Sequence, residues 1–181
     1  MTDNSTRALA DNTLPPGTWR LDPMGSKVMV VVKKMRFITV TVALEPELGE
    51  VVVDDDGEVS SVDVTLIAAS AESGMAKRDT HLRSADFLDV GSHRLISFQS
   101  TDVVRSGLDF TAKGTLSIKG KQSPLTLDVT AVSVVGESSV FSFSGAADRN
   151  VIGLDKLPSF VIADELRVAG SAKANLAQPA D

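Results

Sequence analysis

The chain has 181 residues, 43% of them hydrophobic, which is typical of a single globular domain and not of a disordered chain. Its formal net charge of −6 argues against nucleic-acid binding, which needs clustered Lys and Arg, and it disfavours electrostatic attraction to anionic membrane surfaces. It contains no Cys and only two His, which excludes disulfides, thiolate metal sites and a three-histidine metal site.

Residues 1–16 are polar, end in two prolines and are predicted to form a mobile arm. They lack the apolar segment of a secretory signal peptide, and no stretch comes near the roughly 18 consecutive apolar residues of a transmembrane helix. We therefore expect a cytoplasmic protein with no transmembrane segment, which is periplasmic or secreted only if a longer precursor exists. Structure is expected to begin at Gly17, and Trp19 is expected to fill the core near the first strand.

Alternation of apolar and polar residues predicts β-strands through most of the chain. In residues 26–33 both lysines stand at odd-numbered positions, which marks that face of the strand as exposed to solvent. Val28, Val30 and Val32 on the other face are therefore expected to point inward. The next strand is expected to stop at Pro46, because proline cannot donate a hydrogen bond to a sheet ladder.

Three consecutive aspartates followed by Gly57 predict a hairpin turn, since glycine readily adopts a positive φ. A short strand at residues 50–54 leads into this turn, and a strand at residues 58–66 leaves it. The aspartates do not form a calcium loop of the EF-hand type, because the alternating ligands and the distal Glu are missing.

The alternation breaks between residues 69 and 93, where charged residues stand between apolar ones. One or two turns of helix are predicted here, with Phe87 and Leu88 packed on the core and Arg83 in solvent. The charged residues at the centre of this insertion are Arg78, Asp79, His81 and Arg83. A charged insertion between strands is where β-proteins often have their functional loop. The alternative interpretation is that it closes one end of the fold through local ion pairs.

The most regular predicted strand is the first of the last four. Residues 108–118 alternate without a break, and Gly114 in their middle predicts a bend or a bulge. Further inward rows are expected in residues 125–131, 141–147 and 166–172. Two of these rows begin with large residues and end in Gly or Ala, which fits a tapering interior or a cavity.

About eight strands with short turns predict an all-β fold, an eight-stranded antiparallel β-barrel with a short helical insertion around residues 70–93. Closure of the barrel removes the exposed sheet edges, and eight strands leave room for side chains or for one small ligand. A β-sandwich is the alternative architecture. The expected organisation is the arm at residues 1–16, one domain at residues 17–175 and a flexible tail at residues 176–181.

Five motifs follow one another along the chain. They are W-x-L-D-P at residues 19–23, R-D-x-H-L-R-S-x-D-F-L-D-V at residues 78–90, I-S-F-x-S-T at residues 96–101, G-x-L-x-I-x-G at residues 114–120 and D-R-x-x-x-G-L at residues 148–154. Their order resembles the YceI family over about residues 17–175. The chain departs from the family pattern at Gly25, where the family commonly has His.

The resemblance implies a lipocalin-like barrel that binds a long polyisoprenoid or another amphiphilic chain in its interior. It also implies frequent dimerisation and a frequent periplasmic location, with no catalytic activity or bound metal established for the family as a whole. No cofactor is expected apart from a bound lipid of the polyisoprenoid or fatty-acid type.

We hypothesise that the barrel interior forms a tunnel for the apolar chain of such a lipid. Each buried CH₂ group of the ligand would contribute about 0.8 kcal/mol. The predicted lining residues are Val28, Val30, Val32, Phe98, Phe110, Leu116, Leu127, Phe141 and Phe143. The predicted contacts to the polar head group are Arg78, Asp79, His81 and Arg83, because a few convergent polar groups orient a ligand in an apolar pocket.

Two other functions remain open on sequence alone. The first is a ligand-free interaction barrel whose partner is a second copy of the chain in a homodimer, with the inward residues serving only as core. The second is a hydrolase in which Asp79 and His81 activate Ser84 or Ser100, although the chain has no G-x-S-x-G motif.

Overall fold

The computed structural model describes residues 13–178 and shows a closed barrel of eight antiparallel strands, with the last strand paired to the first. The strands are β1 Gly17–Lys34, β2 Ile38–Val53, β3 Val59–Glu72, β4 Leu95–Ser106, β5 Asp109–Ile118, β6 Lys121–Val135, β7 Ser138–Asp148 and β8 Ile162–Leu176. Helix α1, Ala76–Arg83, lies between β3 and β4. The predicted barrel with a helical insertion is confirmed, and the β-sandwich is excluded.

The alternation of side chains in β6 shows how the sequence builds the barrel wall. Leu125, Leu127 and Val129 are buried, whereas Thr126 and Asp128 between them are exposed. Burying an aliphatic side chain of this size stabilises a fold by about 1.5–3 kcal/mol. Period-two patterning therefore gives each strand one apolar face toward the interior and one polar face toward solvent.

Strand β2 differs from the prediction at Pro46. The strand runs through this buried proline, and its register with β3 shifts between Ala43 and Glu45 and again between Pro46 and Leu48. The Ser70 hydroxyl accepts the Glu45 backbone N–H at 2.8 Å within this irregular segment. The expected strand end was wrong because bulges accommodate a residue that cannot donate to the ladder.

Gly114 lies where two strands approach each other closely. A methyl carbon at this position would stand 2.2 Å from the carbonyl oxygen of Gln99, closer than any real contact allows. The partner strand β4 carries a register shift between Ser100 and Asp102, opposite this glycine. The predicted bulge is confirmed, and it bends the sheet toward closure.

One end of the barrel, the Trp19 end, carries both ends of the described chain. Trp19 is fully buried, and its indole Nε1 donates to the backbone carbonyl of Pro15 at 3.0 Å. Leu14 is also buried. Residues 13–16, which were expected to belong to the mobile arm, therefore pack against the barrel, and β8 continues to Leu176. The rest of the predicted arm and residues 179–181 of the predicted tail lie outside the described residues.

The opposite end, the helix end, carries the β1–β2 turn, helix α1 and the loop at residues 149–161. These segments lie together because every second connection of an antiparallel meander lies at the same end. Within residues 13–178, no helix is long and apolar enough to cross a bilayer.

Candidate functional site

An apolar cavity of about 140 Å³ lies inside the barrel. All eight strands contribute to its wall. The lining side chains are aliphatic and aromatic, apart from Glu50 and three serines, Ser26, Ser97 and Ser171. A site of this kind binds apolar groups and offers few directional contacts to a polar ligand.

The structure places eight of the nine predicted apolar lining residues on the cavity wall. They are Val28, Val30, Phe98, Phe110, Leu116, Leu127, Phe141 and Phe143. The ninth, Val32, lies further along β1, where it pairs with Val40 and Leu166, and it is half-buried outside the cavity lining.

One buried part of the wall contains two phenylalanines in edge contact. The rings of Phe110 and Phe141 have centroids 6.2 Å apart and an interplanar angle of 68°. Both side chains are only 3% exposed. Edge-to-face pairs of this kind stabilise a core beyond the burial of their area, so this part of the wall is expected to be rigid.

Sequence reasoning missed Ile152 as a lining residue. This side chain is fully buried and contacts the cavity from the loop at residues 149–161. The loop has no alternating pattern, so period-two analysis gives no signal there. Trp19 also lines the cavity, in addition to the core role expected of it.

The cavity volume sets the size of a guest that fits without rearrangement. Apolar protein cavities of about 150 Å³ stay dry and bind molecules the size of benzene. A cavity of about 140 Å³ therefore holds a short section of an apolar chain. A longer chain requires the lining side chains to move apart.

The charged residues of the insertion do not line the cavity. Asp79 is buried, and its carboxylate accepts the Ser73 N–H at 2.8 Å as well as the Ser73 hydroxyl. Arg78 donates through Nε to the Ser73 hydroxyl at 2.7 Å and through Nη2 to the Ser73 carbonyl at 2.9 Å. These three residues, the Ser73 clasp, fasten helix α1 to the segment that follows β3.

Two further residues of the motif are also placed away from the cavity. Arg83 was expected in solvent, but it is half-buried and donates through Nη2 to the Ala71 carbonyl at 2.9 Å. His81 is half-exposed, with Nε2 3.5 Å from the Asp86 carboxylate and its ring edge-on to Phe87 at 4.8 Å. The structure thus favours the interpretation that the insertion closes one end of the fold.

The groups of the hydrolase hypothesis are not assembled in the described residues. Asp79 is engaged by Ser73, and the Ser84 hydroxyl donates to the backbone carbonyl of His81 at 2.7 Å. The Ser100 hydroxyl accepts the Val62 N–H at 2.8 Å on a different strand. This chemistry requires a nucleophile, a base and an orienting carboxylate that are joined in one hydrogen-bonded row, and these groups do not form such a row.

The pKa of Asp79 lies below its ordinary value of 3.8, chiefly because its carboxylate accepts the hydrogen bond from the Ser73 hydroxyl. Burial acts in the opposite direction, whereas the Ser73 N–H and the guanidiniums of Arg83 and Arg78 lower the pKa further. A depressed pKa in the folded state adds stability at neutral pH that is lost as the pH falls below about 4. We expect Asp79→Asn to lower the melting temperature at pH 7, and the difference from wild type to shrink toward pH 3. Thermal unfolding across this range measures it.

Asp86→Asn serves as the matched control, because the Asp86 side chain is 59% exposed and its 3.5 Å pair with His81 lies on the surface, where ion pairs contribute little. This variant is expected to follow the wild-type profile. A constant difference between Asp79→Asn and wild type from pH 7 to pH 3 would contradict the role of the Asp79 carboxylate.

Arg149 is a second residue that sequence reasoning did not single out, although it lies in the D-R-x-x-x-G-L motif. Its side chain is 3% exposed and donates to the carbonyls of Leu154 at 2.9 Å, of Ala163 at 3.1 Å and of Ile162 at 3.1 Å. It also pairs with the Asp164 carboxylate at 3.1 Å. The Ser159 hydroxyl donates to the same carboxylate and is the largest cause of the lowered pKa of Asp164. Arg149 thereby holds the loop that carries Ile152 onto the cavity.

Solved structures share this barrel. A structure of BcnA from Burkholderia cenocepacia superposes with a TM-score of 0.75 at 21% sequence identity, covering 86% of this chain and 99% of that one. A polyisoprenoid binding domain from Saccharophagus degradans superposes with a TM-score of 0.66 at 14% identity, covering 88% of this chain and 98% of that one. At these identities the likeness concerns the fold.

Curated relatives match part of the sequence. A UPF0312 protein of Serratia proteamaculans (strain 568) is 37% identical over 79 residues, which span 44% of this chain and 41% of the relative. Protein YceI of Escherichia coli O17:K52:H18 is 38% identical over 71 residues, 39% of this chain and 37% of the relative. The matches thus cover about two fifths of these relatives. The model of the YceI-like domain matches residues 19–174, most of the described barrel, and the chain therefore belongs to the YceI family.

Proposed function

We propose that the protein binds the apolar chain of an amphiphilic lipid, of the isoprenoid or fatty-acid type, in the barrel cavity. The observation that carries the proposal is a cavity lined from all eight strands by apolar side chains. Membership of the YceI family and the structural likeness to a polyisoprenoid binding domain support a binding protein rather than an enzyme.

In this proposal the affinity comes from the apolar chain of the lipid and not from its head group. About ten buried carbons would contribute roughly 8 kcal/mol before the cost of immobilising the ligand is subtracted. The lining has few polar groups, and the hydroxyl of Ser26 already donates to the Asp22 carbonyl at 2.7 Å. The Ser73 clasp has a structural role, and the head group stays outside the apolar cavity.

The test reduces the cavity without placing a charge in it. Ala172 lines the cavity and pairs with Phe141 on the neighbouring strand β7. Ala172→Leu therefore directs three extra carbons into the space that the lipid chain would occupy. We expect at least a tenfold weaker binding of cis-parinaric acid, a fluorescent long-chain polyene, measured by titration of protein cleared of endogenous lipid. Overpacking of this kind costs about 1–3 kcal/mol, so the variant is expected to remain folded.

Ala169→Leu is the matched control, because Ala169 lies on the same strand and is exposed on the outer face. It is expected to bind the probe as wild type does. Equal binding by both variants and wild type would place the probe outside the barrel and contradict the proposal, as would the absence of saturable binding to wild type.

One observation favours a second candidate, the ligand-free interaction barrel that dimerises. The cavity of about 140 Å³ is small for a long lipid chain. For this candidate, lipid extraction yields nothing, and light scattering during size-exclusion chromatography gives the mass of a dimer.

A further inference from the structure

The helix end of the barrel exposes a group of large apolar side chains. The β1–β2 turn carries Phe37, which is 89% exposed, and the loop before β8 carries Phe160, which is 79% exposed. These two segments are adjacent, because the Met35 N–H donates to the Val161 carbonyl at 2.8 Å. Met35 and Ile38 are exposed beside them. We call residues 33–38 and 155–161 the hairpin-tip surface.

The charge of this surface is opposite to that of the whole chain. The hairpin-tip surface contains four cations, Lys33, Lys34, Arg36 and Lys156, and one anion, Asp155, whereas the chain has a formal net charge of −6. No Asp or Glu occurs between residues 23 and 44. A basic, apolar end on an acidic protein is complementary to a surface that is anionic outside and apolar beneath.

The backbone of the turn gives an independent sign that its side chains matter. Met35 and Arg36 have φ values of 50° and 66°, in the left-handed region that Gly and, less often, Asn adopt. Large side chains at these positions are disfavoured by local geometry. Their presence, next to an almost fully exposed Phe37, fits a surface that uses them for contact.

We propose that the hairpin-tip surface docks on an anionic lipid bilayer. Phe37 and Phe160 enter the boundary between head groups and acyl chains, and the neighbouring cations contact anionic head groups. Strand β1 ends and strand β8 begins at this surface, and they carry Val30 and Leu166 on the cavity wall. Docking there brings the cavity close to a source of lipid chains, but the docking itself does not depend on an occupied cavity.

The test is co-sedimentation of the full chain with vesicles. Wild type is expected to bind vesicles of equal parts phosphatidylglycerol and phosphatidylcholine, with binding that weakens as salt rises, and to bind phosphatidylcholine vesicles much more weakly. Phe37→Ser/Phe160→Ser and Lys34→Gln/Arg36→Gln are each expected to weaken binding to the anionic vesicles about tenfold or more.

Matched double variants away from this surface are the controls. Val132→Ser/Val135→Ser removes two exposed apolar side chains near the Trp19 end, and Lys27→Gln/Lys113→Gln removes two exposed cations from the barrel wall. Both are expected to bind as wild type does. Ala172→Leu is also expected to keep vesicle binding, which separates this proposal from the occupancy of the cavity.

Three results would overturn the docking proposal. One is that wild-type protein stays in the supernatant when the anionic vesicles are pelleted. Another is equal binding to both vesicle types without salt dependence. The third is that wild type is a dimer that does not bind vesicles, whereas Phe37→Ser/Phe160→Ser is a monomer. The hairpin-tip surface would then be covered by a second copy of the chain.

Discussion

Phe110→Arg is expected to destabilise the barrel by at least about 4 kcal/mol, because it places an unpaired charge in an apolar interior. Phe110 is 3% exposed and lines the cavity in edge contact with Phe141. Since small domains have about 5–15 kcal/mol of total stability, the variant is expected to be largely unfolded or to unfold at much lower denaturant concentration. Urea unfolding followed by circular dichroism measures the change.

Two controls separate the charge from the position. Phe110→Leu keeps the side chain apolar and is expected to cost about 1.5 kcal/mol. Asp109→Arg places the same charge on the exposed neighbouring residue and is expected to change stability by less than about 0.5 kcal/mol. A Phe110→Arg protein as stable as wild type would show that residue 110 does not face the interior of the barrel.

Arg149→Met has the second largest expected effect, a loss of about 3 kcal/mol of unfolding free energy. The substitution removes a buried guanidinium that serves three backbone carbonyls and the Asp164 carboxylate. Those acceptors lose their donor, so the loop at residues 149–161 is expected to open and to release Ile152 from the cavity. Hydrogen exchange of this loop is expected to accelerate together with the loss of stability.

Arg20→Met is the matched control for this prediction. The Arg20 side chain is 68% exposed in its ion pair with Glu50, and such pairs contribute at most about 1 kcal/mol. Equal stability of the Arg149 and Arg20 variants would contradict the structural role of Arg149.

Much of the fold follows from local patterns in the sequence, and the difference at Pro46 shows where such patterns stop. Alternation predicted the inward rows because each strand has one dry face, as β6 shows. The rule that proline ends a strand failed because β2 continues through two register shifts that no local pattern records. Pairing with both neighbours stabilises the strand more than one missing hydrogen bond destabilises it.

The candidate site was predictable in its walls and not in its polar parts. The alternation of apolar and polar residues predicts that Phe98 and Leu127 point inward, and both line the cavity. It says nothing of Arg78 and Asp79, whose partner Ser73 was not identified from the sequence. A charged cluster in sequence gives the types of its groups but not their direction, which is set by the helix that carries them. Cavity volume also depends on side-chain packing and has no local signal.

The most direct test of the hollow barrel is to extract freshly purified protein with organic solvent and to weigh the intact protein by native mass spectrometry. A long-chain amphiphile is expected at close to one molecule per barrel in wild type and in Ala169→Leu, and at a strongly reduced level in Ala172→Leu. Protein of the bare polypeptide mass with a lipid-free extract, and no uptake of an added long-chain lipid, would contradict it.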